Sequence, residues 1–323
     1  MKVLVLGAGE LGEAVLQSLA HHPKKPESSQ ISVLLRPASI QSTDPEKQKL
    51  RKQLEDLHIS VVAGDILKAT SGSRDSDSSQ QLPKENSDLE DLVSVLRAYD
   101  VVIGCSGMGF PLGTQEKLAH LVLRANVKLY IPWQFGVDYE AVGQGSSQQL
   151  FDEQLRVRAL IRSQTKTEWI IVSTGVFMSF VFLAAFGMVD REQRTVRALG
   201  SWDNSFTSTP VEDIARMTAE VVWDRRELRN QPVHIGSDTL TYTQLADLVE
   251  KKWGEGAGQE KWKRELWDQE IITKQLAAEP DSVMPKYRMV WAVGQGVSWP
   301  MDQTENAKRG ISMTGVSEYM ERL

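Results

Sequence analysis

The sequence has a single cysteine, Cys105, and no apolar run as long as a membrane span. One cysteine excludes a disulfide within the chain and is typical of a reducing compartment. A transmembrane helix would need about 18 consecutive apolar residues. Because the chain begins directly with a predicted core strand, we expect neither a secretory signal nor a membrane partner, and we predict a cytoplasmic location.

The chain also lacks an excess of basic residues and any spaced set of metal ligands. Its 37 Lys and Arg residues are outnumbered by 43 Asp and Glu residues, which gives a formal net charge of -6. A nucleic-acid-binding surface needs clustered positive charge, so we expect no nucleic-acid partner. Since no Cys and His residues have metal-ligand spacing, we expect no metal. The 323 residues, 41% of them apolar, predict one large or two fused globular units.

The most informative motif is a glycine-rich turn at the start of the chain. Apolar residues 2–6 precede the segment Gly7-Ala8-Gly9-Glu10-Leu11-Gly12, and residues with helical periodicity follow it. A G-x-G-x-x-G motif between a strand and a helix indicates a dinucleotide site. Gly7 would form the tight turn, Gly9 would admit a pyrophosphate, and Gly12 would let the helix pack closely. The alternative is a strand–helix turn that has lost its ligand.

The residue after the second predicted strand bears on cofactor choice. Residues 31–35 form that strand, and Arg36 follows it. An NAD site usually has an acidic residue here for the ribose 2′-hydroxyl, whereas a cation suits a 2′-phosphate. The sequence therefore predicts NADP(H), with an ordinary surface arginine as the alternative.

Strands and helices then alternate along the first half of the chain. Further strands are predicted at residues 59–63, 101–104, 127–132 and 169–173. This alternation predicts an α/β fold with a doubly wound parallel sheet of the Rossmann type. Residues just past the strand ends would border the cofactor, namely Asp65, Cys105, Ser106, Gly107 and Gln134. We interpret Cys105 as a small wall residue, because no histidine is near it in the sequence.

Polar and aromatic side chains follow the fifth strand, where substrate-facing groups belong in a doubly wound fold. Trp133 and Phe135 are candidates for contact with the substrate. Asp138 and Tyr139 are candidates for catalysis, although both could be ordinary loop residues. In the second half, Phe177, Met178 and Trp202 are further candidates for the substrate wall.

The sequence predicts two domains and a variable insertion. Residues 1–175 would form the dinucleotide-binding domain, and residues 176–323 a smaller C-terminal substrate lobe with some strands returning to the main sheet. Residues 68–88 are polar and rich in Ser, Asp and Gln, which predicts a mobile surface insertion. Residues 195–199 and 206–208 flank a Gly-Ser-Trp-Asp-Asn segment, which predicts a hairpin.

The glycine turn, Arg36 and the I-P-W-Q-F-G-V-D-Y segment at residues 131–139 resemble the NmrA-like branch of the atypical short-chain dehydrogenases. The chain looks most similar to isoflavone-reductase-like proteins, in particular a fungal group. The resemblance covers nearly the whole chain and is specific for the family but not for the substrate. It implies an NADP-binding domain, a substrate lobe and activity on small aromatic secondary metabolites, for example of the indole-alkaloid type. We expect a monomer or a homodimer.

One departure from the family pattern concerns catalysis. The resemblance implies a lysine on the helix after the fifth strand, and the corresponding residue here is Gln154. An amide does not titrate near neutral pH, so Gln154 could bind ribose or substrate but could not act as a general acid or base. A Tyr-x-x-x-Lys pair is also absent, since none of the six tyrosines has a lysine four residues later.

We therefore expect an NADP(H)-dependent enzyme that reduces an aromatic enone, carbonyl or imine by hydride transfer. Reduction of a carbonyl or an enone develops negative charge that Asp138, Tyr139 or a water would neutralise, whereas a cationic iminium needs only the hydride. One alternative is a redox-neutral cyclase or isomerase, such as a Pictet-Spengler-type enzyme, that holds NADP(H) without consuming it. The other is a non-catalytic regulator that senses NADP.

Overall fold

The computed structural model describes residues 1–71, 87–107, 109–146, 149–254 and 261–323. The chain forms two compact units, each built from several segments. The first unit consists of Met1–Gln134, Arg156–Ile171 and Ala215–Pro232, and the second of Phe135–Leu155, Val172–Ile214 and Val233–Leu323. These units therefore do not coincide with the single division after residue 175 that the sequence predicts.

The strands of the described residues are β1 (Lys2–Leu6), β2 (Gln30–Leu35), β3 (Ser60–Ala63), β4 (Val101–Gly104), β5 (Leu129–Ile131), β6 (Glu168–Ser173), β7 (Val176–Phe177), β8 (Val189–Asp190), β9 (Thr195–Leu199), β10 (Ser205–Thr209), β11 (Gln231–His234), β12 (Asp238–Thr241) and β13 (Lys263–Trp267). The α-helices are α1 (Glu10–His21), α2 (Pro37–Ile40), α3 (Pro45–Asp56), α4 (Ile66–Thr70), α5 (Ser87–Arg97), α6 (Thr114–Arg124), α7 (Tyr139–Val142), α8 (Asp152–Arg162), α9 (Met178–Val181), α10 (Val211–Trp223), α11 (Tyr242–Trp253), α12 (Gln269–Ala278), α13 (Val283–Val293), α14 (Glu305–Arg309) and α15 (Val316–Tyr319). Two 3-10 helices, Met301–Gln303 and Met320–Arg322, lie near the C-terminus.

The main sheet has seven strands in the order β11-β6-β5-β4-β1-β2-β3. Every pairing from β6 to β3 is parallel. Strand β1 is central, and its residues Val3 to Leu6 are fully buried, as an apolar strand of a parallel sheet covered on both faces should be. The chain winds outward in opposite directions from β1, which places a topological switch point at the carboxyl ends of β1 and β4. The predicted doubly wound parallel sheet is confirmed.

The first unit packs helices against this sheet. The buried side chains of α5 are Leu89, Leu92, Val93 and Leu96, which recur at helical spacing and join the core beside Leu4 and Leu6 of β1. Helix α4 ends at Thr70, which is buried, and helix α5 begins at Ser87, so the predicted insertion of residues 68–88 is too long at both ends. The remainder of that prediction, residues 72–86, lies outside the described residues. None of the described helices combines the length and the apolar character needed to cross a membrane.

The second unit contains two three-stranded sheets, β12-β10-β7 and β13-β9-β8. Strand β9 pairs with β8 and β13, and β10 pairs with β7 and β12, so the predicted hairpin between them is wrong. The intervening turn is bonded to other segments instead. The Asn204 amide donates to the carbonyl oxygens of Leu199 and Ala292, and the backbone N–H of Gly200 donates to Trp267.

Candidate functional site

A cavity of about 310 Å³ lies in the first unit beside the glycine turn. It is lined by the loops that follow β1, β2 and β3 and by part of helix α3. Five residues predicted from the sequence to bind a cofactor are in its lining: Gly7, Gly9, Arg36, Asp65 and Ser106. The structure thus brings together residues from four separate segments of the chain.

The three glycines of the turn serve different purposes. Gly7 has φ of +94°, and a Cβ there would lie 1.8 Å from the Ser106 Oγ. A Cβ on Gly12 would lie 2.2 Å from the Gly7 carbonyl oxygen. A Cβ on Gly9, in contrast, would meet no heavy atom within 4 Å. The protein's own packing therefore requires Gly7 and Gly12, whereas the space in front of Gly9 is open to a ligand.

The start of helix α1 faces this turn without a capping side chain. Gly9 is its N-cap residue, so no side chain accepts from the first-turn N–H groups. Such N–H groups and the positive end of the helix dipole make a binding site for phosphate. Leu11 is buried in the core and can contribute only its backbone, while the Glu10 side chain is exposed.

Positively charged side chains also line the cavity, namely Arg36, Lys47 and Arg51. Arg36 and Lys47 are exposed, and within the described part of the chain neither side chain makes a hydrogen bond or an ion pair. Arg51 donates to the carbonyl oxygens of Ser39 at 2.9 Å and Ser42 at 2.7 Å, which holds the loop that carries Arg36. These positive charges suit a second anionic group in addition to one bound at the start of α1.

The remaining lining is mainly apolar and includes Leu35, Ile66 and Phe110. Asp65 caps helix α4 by accepting from the Leu67 N–H at 3.0 Å. Sequence reasoning missed Lys47 and Phe110. Lys47 is in the first turn of α3 after the N-cap Asp44, but nothing local in the sequence shows that this turn faces the end of β2.

The loop after β4 forms the floor beneath the turn. Cys105 is buried, and burial raises the pKa of its thiol far above the usual range, so the thiol stays protonated. This supports its interpretation as a wall residue, because only a thiolate is a strong nucleophile. Gly107 lies against the Trp133 indole: a Cβ there would be 2.0 Å from the indole Cδ1. Trp133 itself is half-buried.

Gln134 is buried and follows the end of β5. It is the last residue of the segment Met1–Gln134 of the first unit. Its Oε1 accepts a hydrogen bond of 2.7 Å from the Arg158 Nε, and Arg158 is buried as well. This charge-assisted bond holds the amide oxygen against the Arg158 guanidinium. Gln134 does not line the cavity described above.

The predicted residues of the second unit differ in accessibility. Phe177 and Trp202 are half-buried, whereas Phe135 is buried and Met178 is fully buried in the second unit's core. Met178 therefore offers no accessible surface to a substrate, which corrects its prediction as a wall residue. Met178 is the first residue of the short helix α9, directly after Phe177, and its apolar side chain packs in that core.

Tyr139 and Gln154 are both close to the core of the second unit. Tyr139 is buried, and its ring packs on Phe151 with centroids 4.8 Å apart. Its hydroxyl lies against Gly136, where a Cβ would be 2.6 Å from the hydroxyl oxygen. Gln154 is in the first turn of α8, and its Oε1 is buried.

Asp138 lies beside a histidine that is not among the site residues predicted from the sequence. Its Oδ2 is 3.5 Å from the Nε2 of His234, the last residue of β11. Its Oδ1 accepts from the Glu140 N–H at 3.2 Å and caps helix α7. The two residues are far apart in sequence, so no local pattern could have paired them.

Comparisons with known proteins identify the relatives of this chain. A sequence profile described as the NmrA-like family matches residues 1–319. An NmrA-like family domain-containing oxidoreductase of Gibberella moniliformis is 48% identical over 319 residues, which cover 99% of this chain and 97% of that protein. An isoflavone reductase homolog of Arabidopsis thaliana is 26% identical over 261 residues, 78% of this chain and 75% of that protein.

A solved structure shares the fold at low identity. The complex of leucoanthocyanidin reductase with NADPH from Vitis vinifera superposes with a TM-score of 0.76 at 20% identity, covering 100% of this chain and 99% of that one. The similarity of architecture thus extends over both units of the chain. The match over residues 1–319 and the 48% identity to the Gibberella protein lead to one conclusion: this chain belongs to the NmrA-like family.

Proposed function

We propose that this chain is an NADP(H)-dependent reductase of a small aromatic molecule, in which hydride adds to an enone, carbonyl or imine. The observation that carries the proposal is one cavity lined by the glycine turn at the uncapped start of α1 and by Arg36 and Lys47, whose side chains make no hydrogen bond or ion pair with the described residues. The backbone N–H groups of α1 and these two cations can each bind an anionic group. A dinucleotide with an additional phosphate on its adenosine ribose has this distribution of charge.

The residues present fit that cofactor part by part. The pyrophosphate would approach Gly9, where a Cβ would fill only open space, and would accept from the backbone N–H groups of Glu10, Leu11 and Gly12. The 2′-phosphate would bind Arg36 and Lys47. These two cations would thus select NADP(H) over NAD(H).

The rest of the cavity would hold the adenosine. Phe110 and Ile66 provide apolar surface for the adenine ring, and Asp65 provides a carboxylate acceptor beside it. Gly7, Ser106, Gly107 and Cys105 would shape the floor, with Gln134 as a hydrogen-bond donor for the nicotinamide half. Support also comes from the Vitis relative of the same fold, which was solved as a complex with NADPH.

Bound NADPH would supply the hydride, and the chain would supply the surface that holds the acceptor. The half-buried Trp133 indole lies against Gly107 in the loop after β4, and we expect it to form part of this surface. In the second unit, Phe177 and Trp202 are the accessible aromatic candidates. Isoflavones and leucoanthocyanidins, for which two relatives are named, are small aromatic molecules, which supports an aromatic compound of secondary metabolism as the substrate class.

The test is to measure how many NADPH molecules are oxidised for each product molecule formed. Purified protein would be incubated with NADPH and a panel of aromatic enones, aldehydes and imines, with absorbance at 340 nm and product formation both followed. The proposal expects one NADPH oxidised for each product formed. Product without NADPH oxidation would contradict it in favour of a redox-neutral cyclase or isomerase. Tight NADPH binding with no conversion of any aromatic compound would contradict it in favour of an NADP-sensing regulator.

A further inference from the structure

One serine lines the cofactor cavity together with its positive charges. Ser39 is half-buried, and its hydroxyl makes no hydrogen bond within the described residues. Arg36, Lys47 and Arg51 belong to the same lining. A phosphoryl group added to a hydroxyl in such surroundings would find its counter-charges already in place.

Hydrogen bonds of the first unit hold these cations near Ser39. The Arg51 Nη1 donates to the Ser39 carbonyl oxygen at 2.9 Å, so the guanidinium lies next to the Ser39 backbone. The Ser39 N–H donates to the Arg36 carbonyl oxygen at 2.8 Å and closes the turn between the two residues. Lys47 precedes Arg51 by four residues on α3, which places both on one face of that helix.

The segment around Ser39 is suited to modification by a kinase. Arg36, Pro37 and Ala38 are exposed, and the single-turn helix α2 has no buried residue. A helix this short is marginally stable by itself, so it can open without exposing the core. An arginine three residues before a serine is a charge pattern that kinases with an acidic recognition pocket select.

The arginine spacing alone would not single out Ser39. The same spacing occurs at Arg162 and Thr165 and at Arg309 and Ser312. Neither Thr165 nor Ser312 lines the cavity, so only at Ser39 does the spacing coincide with the cofactor site. The position of Ser39 in the lining therefore carries the inference, and the other two sites serve as comparisons.

We propose that Ser39 is a phosphorylation site and that its phosphate takes the place of the NADP(H) 2′-phosphate, an inference that rests on the proposed function. The Ser39 Oγ attacks the γ-phosphorus of ATP bound to a serine kinase that selects basic segments. The bond from that phosphorus to the β,γ-bridging oxygen breaks, ADP leaves, and the hydroxyl proton passes to the kinase. The new group has a charge of about −1.5 to −2 at neutral pH, which Arg36, Lys47 and Arg51 neutralise.

The added phosphate changes which dinucleotide the cavity accepts. NADP(H) brings its 2′-phosphate to cations that are already neutralised, so it loses ion pairs and is repelled. NAD(H) has a hydroxyl at that position, and NAD sites usually offer an anionic group to this hydroxyl near the end of the second strand. Phosphorylation therefore replaces a preference for NADP(H) with a preference for NAD(H).

Protein with phosphoserine inserted at position 39 during translation tests this consequence. Calorimetric titration at physiological salt should show NADPH binding about a hundredfold or more weaker than in wild type, and NADH binding within about threefold. Ser39→Glu, with a single negative charge, should shift the preference in the same direction but less. The control has phosphoserine in place of Thr43, which is exposed and outside the cavity lining, and should leave both affinities within about threefold.

A kinase reaction tests whether Ser39 is accessible. Wild-type protein would be incubated with ATP, Mg²⁺ and the catalytic subunit of the cyclic-AMP-dependent protein kinase, which selects basic segments, and the phosphorylated residues located by mass spectrometry. We expect phosphate on Ser39 in the cofactor-free protein. Saturating NADPH should lower that labelling about tenfold or more, because the bound nucleotide covers the cavity, and should not change any labelling of Thr165 or Ser312.

The contrary results are equally definite. Unchanged NADPH affinity with phosphoserine at position 39, equal losses for NADPH and NADH, or the same loss in the position-43 control would overturn the proposal. So would the absence of phosphate on Ser39 in the cofactor-free protein, or labelling of Ser39 that NADPH does not reduce. If wild-type protein binds neither nucleotide, the cofactor site of the proposed function fails instead, and this is seen before any variant is made.

Discussion

The backbone carbonyl of Gly7 lies where a side chain on Gly12 would have to be: a Cβ on Gly12 would be 2.2 Å from that oxygen. The third glycine of the turn is therefore fixed by the contact between helix α1 and the end of β1. The second glycine, Gly9, has no such contact, since a Cβ there would meet nothing within 4 Å. In this motif, Gly12 is therefore required by the packing of the fold, whereas Gly9 leaves space that a ligand can occupy.

Alanine substitutions should separate these two roles. Gly12→Ala forces the helix away from the turn, and we expect the free energy of unfolding to fall by about 1–3 kcal/mol. Gly9→Ala should change it by no more than about 0.5 kcal/mol, as for other exposed sites, yet should weaken NADPH binding. Urea unfolding and fluorescence titration measure the two quantities. A stable Gly12→Ala protein, or a Gly9→Ala protein with unchanged NADPH affinity, would contradict this division of roles.

A second prediction concerns Asn204, whose side-chain hydrogen bonds we expect to stabilise the turn between β9 and β10. Its amide donates to the carbonyls of Leu199 at 3.2 Å and Ala292 at 3.0 Å. Asn204→Ala leaves both carbonyls without this donor, so we expect a loss of about 1–3 kcal/mol in thermal or urea unfolding. The neighbouring Asp203→Ala, at an exposed position, is the control and should be nearly neutral. Similar losses in both variants would show that the turn depends on its backbone rather than on the Asn204 amide.

Local patterns in the sequence were sufficient to predict the parallel sheet and the glycine turn. Strand β1 is a continuous apolar run followed at once by glycines, and both signals are contained in a dozen residues. Arg36 could be found in the same way, because the end of a strand is a local feature. The apolar spacing of Leu89, Leu92, Val93 and Leu96 likewise predicts the buried face of α5.

Features that depend on distant segments could not be predicted. Lys47 and Phe110 reach the cavity from α3 and from the loop after β4, and the sequence does not show that these segments meet. The hairpin prediction was wrong because Gly200 bonds to Trp267, a contact invisible from the turn itself. The pairing of Asp138 with His234 has the same origin, since the N-cap of α7 and the end of β11 are far apart in the sequence.

Asp238 should make the stability of the protein depend on pH. Burial raises the pKa of this carboxyl, although the Val316 N–H donates to it at 2.6 Å and acts in the opposite direction. An acid with a raised pKa binds more protons in the folded state, so the stability from this group is present at low pH. It is lost as the pH rises from about 4, the ordinary value, through the raised value.

Asp238→Asn tests this linkage because it keeps an acceptor for the Val316 N–H and removes the ionisation. Relative to wild type, the variant should be more stable at pH 7 than it is at pH 4, as measured by urea unfolding at both pH values. Asp302→Asn, at an exposed position, should show no such difference. An Asp238→Asn protein whose relative stability is the same at both pH values would mean that the buried carboxyl is not responsible.

The central claim is that the cavity beside the glycine turn recognises a phosphorylated adenosine ribose through Arg36 and Lys47. Calorimetric titration of NADPH and NADH into wild type, Arg36→Ala, Lys47→Ala and the control Lys52→Ala, from the same helix as Lys47, tests it most directly. Each cavity variant should bind NADPH about ten- to a hundredfold more weakly, the effect of losing a charged hydrogen bond, with little change for NADH and none in the control. Equal losses for both nucleotides, or a wild-type protein that binds NADH as tightly as NADPH, would contradict the account.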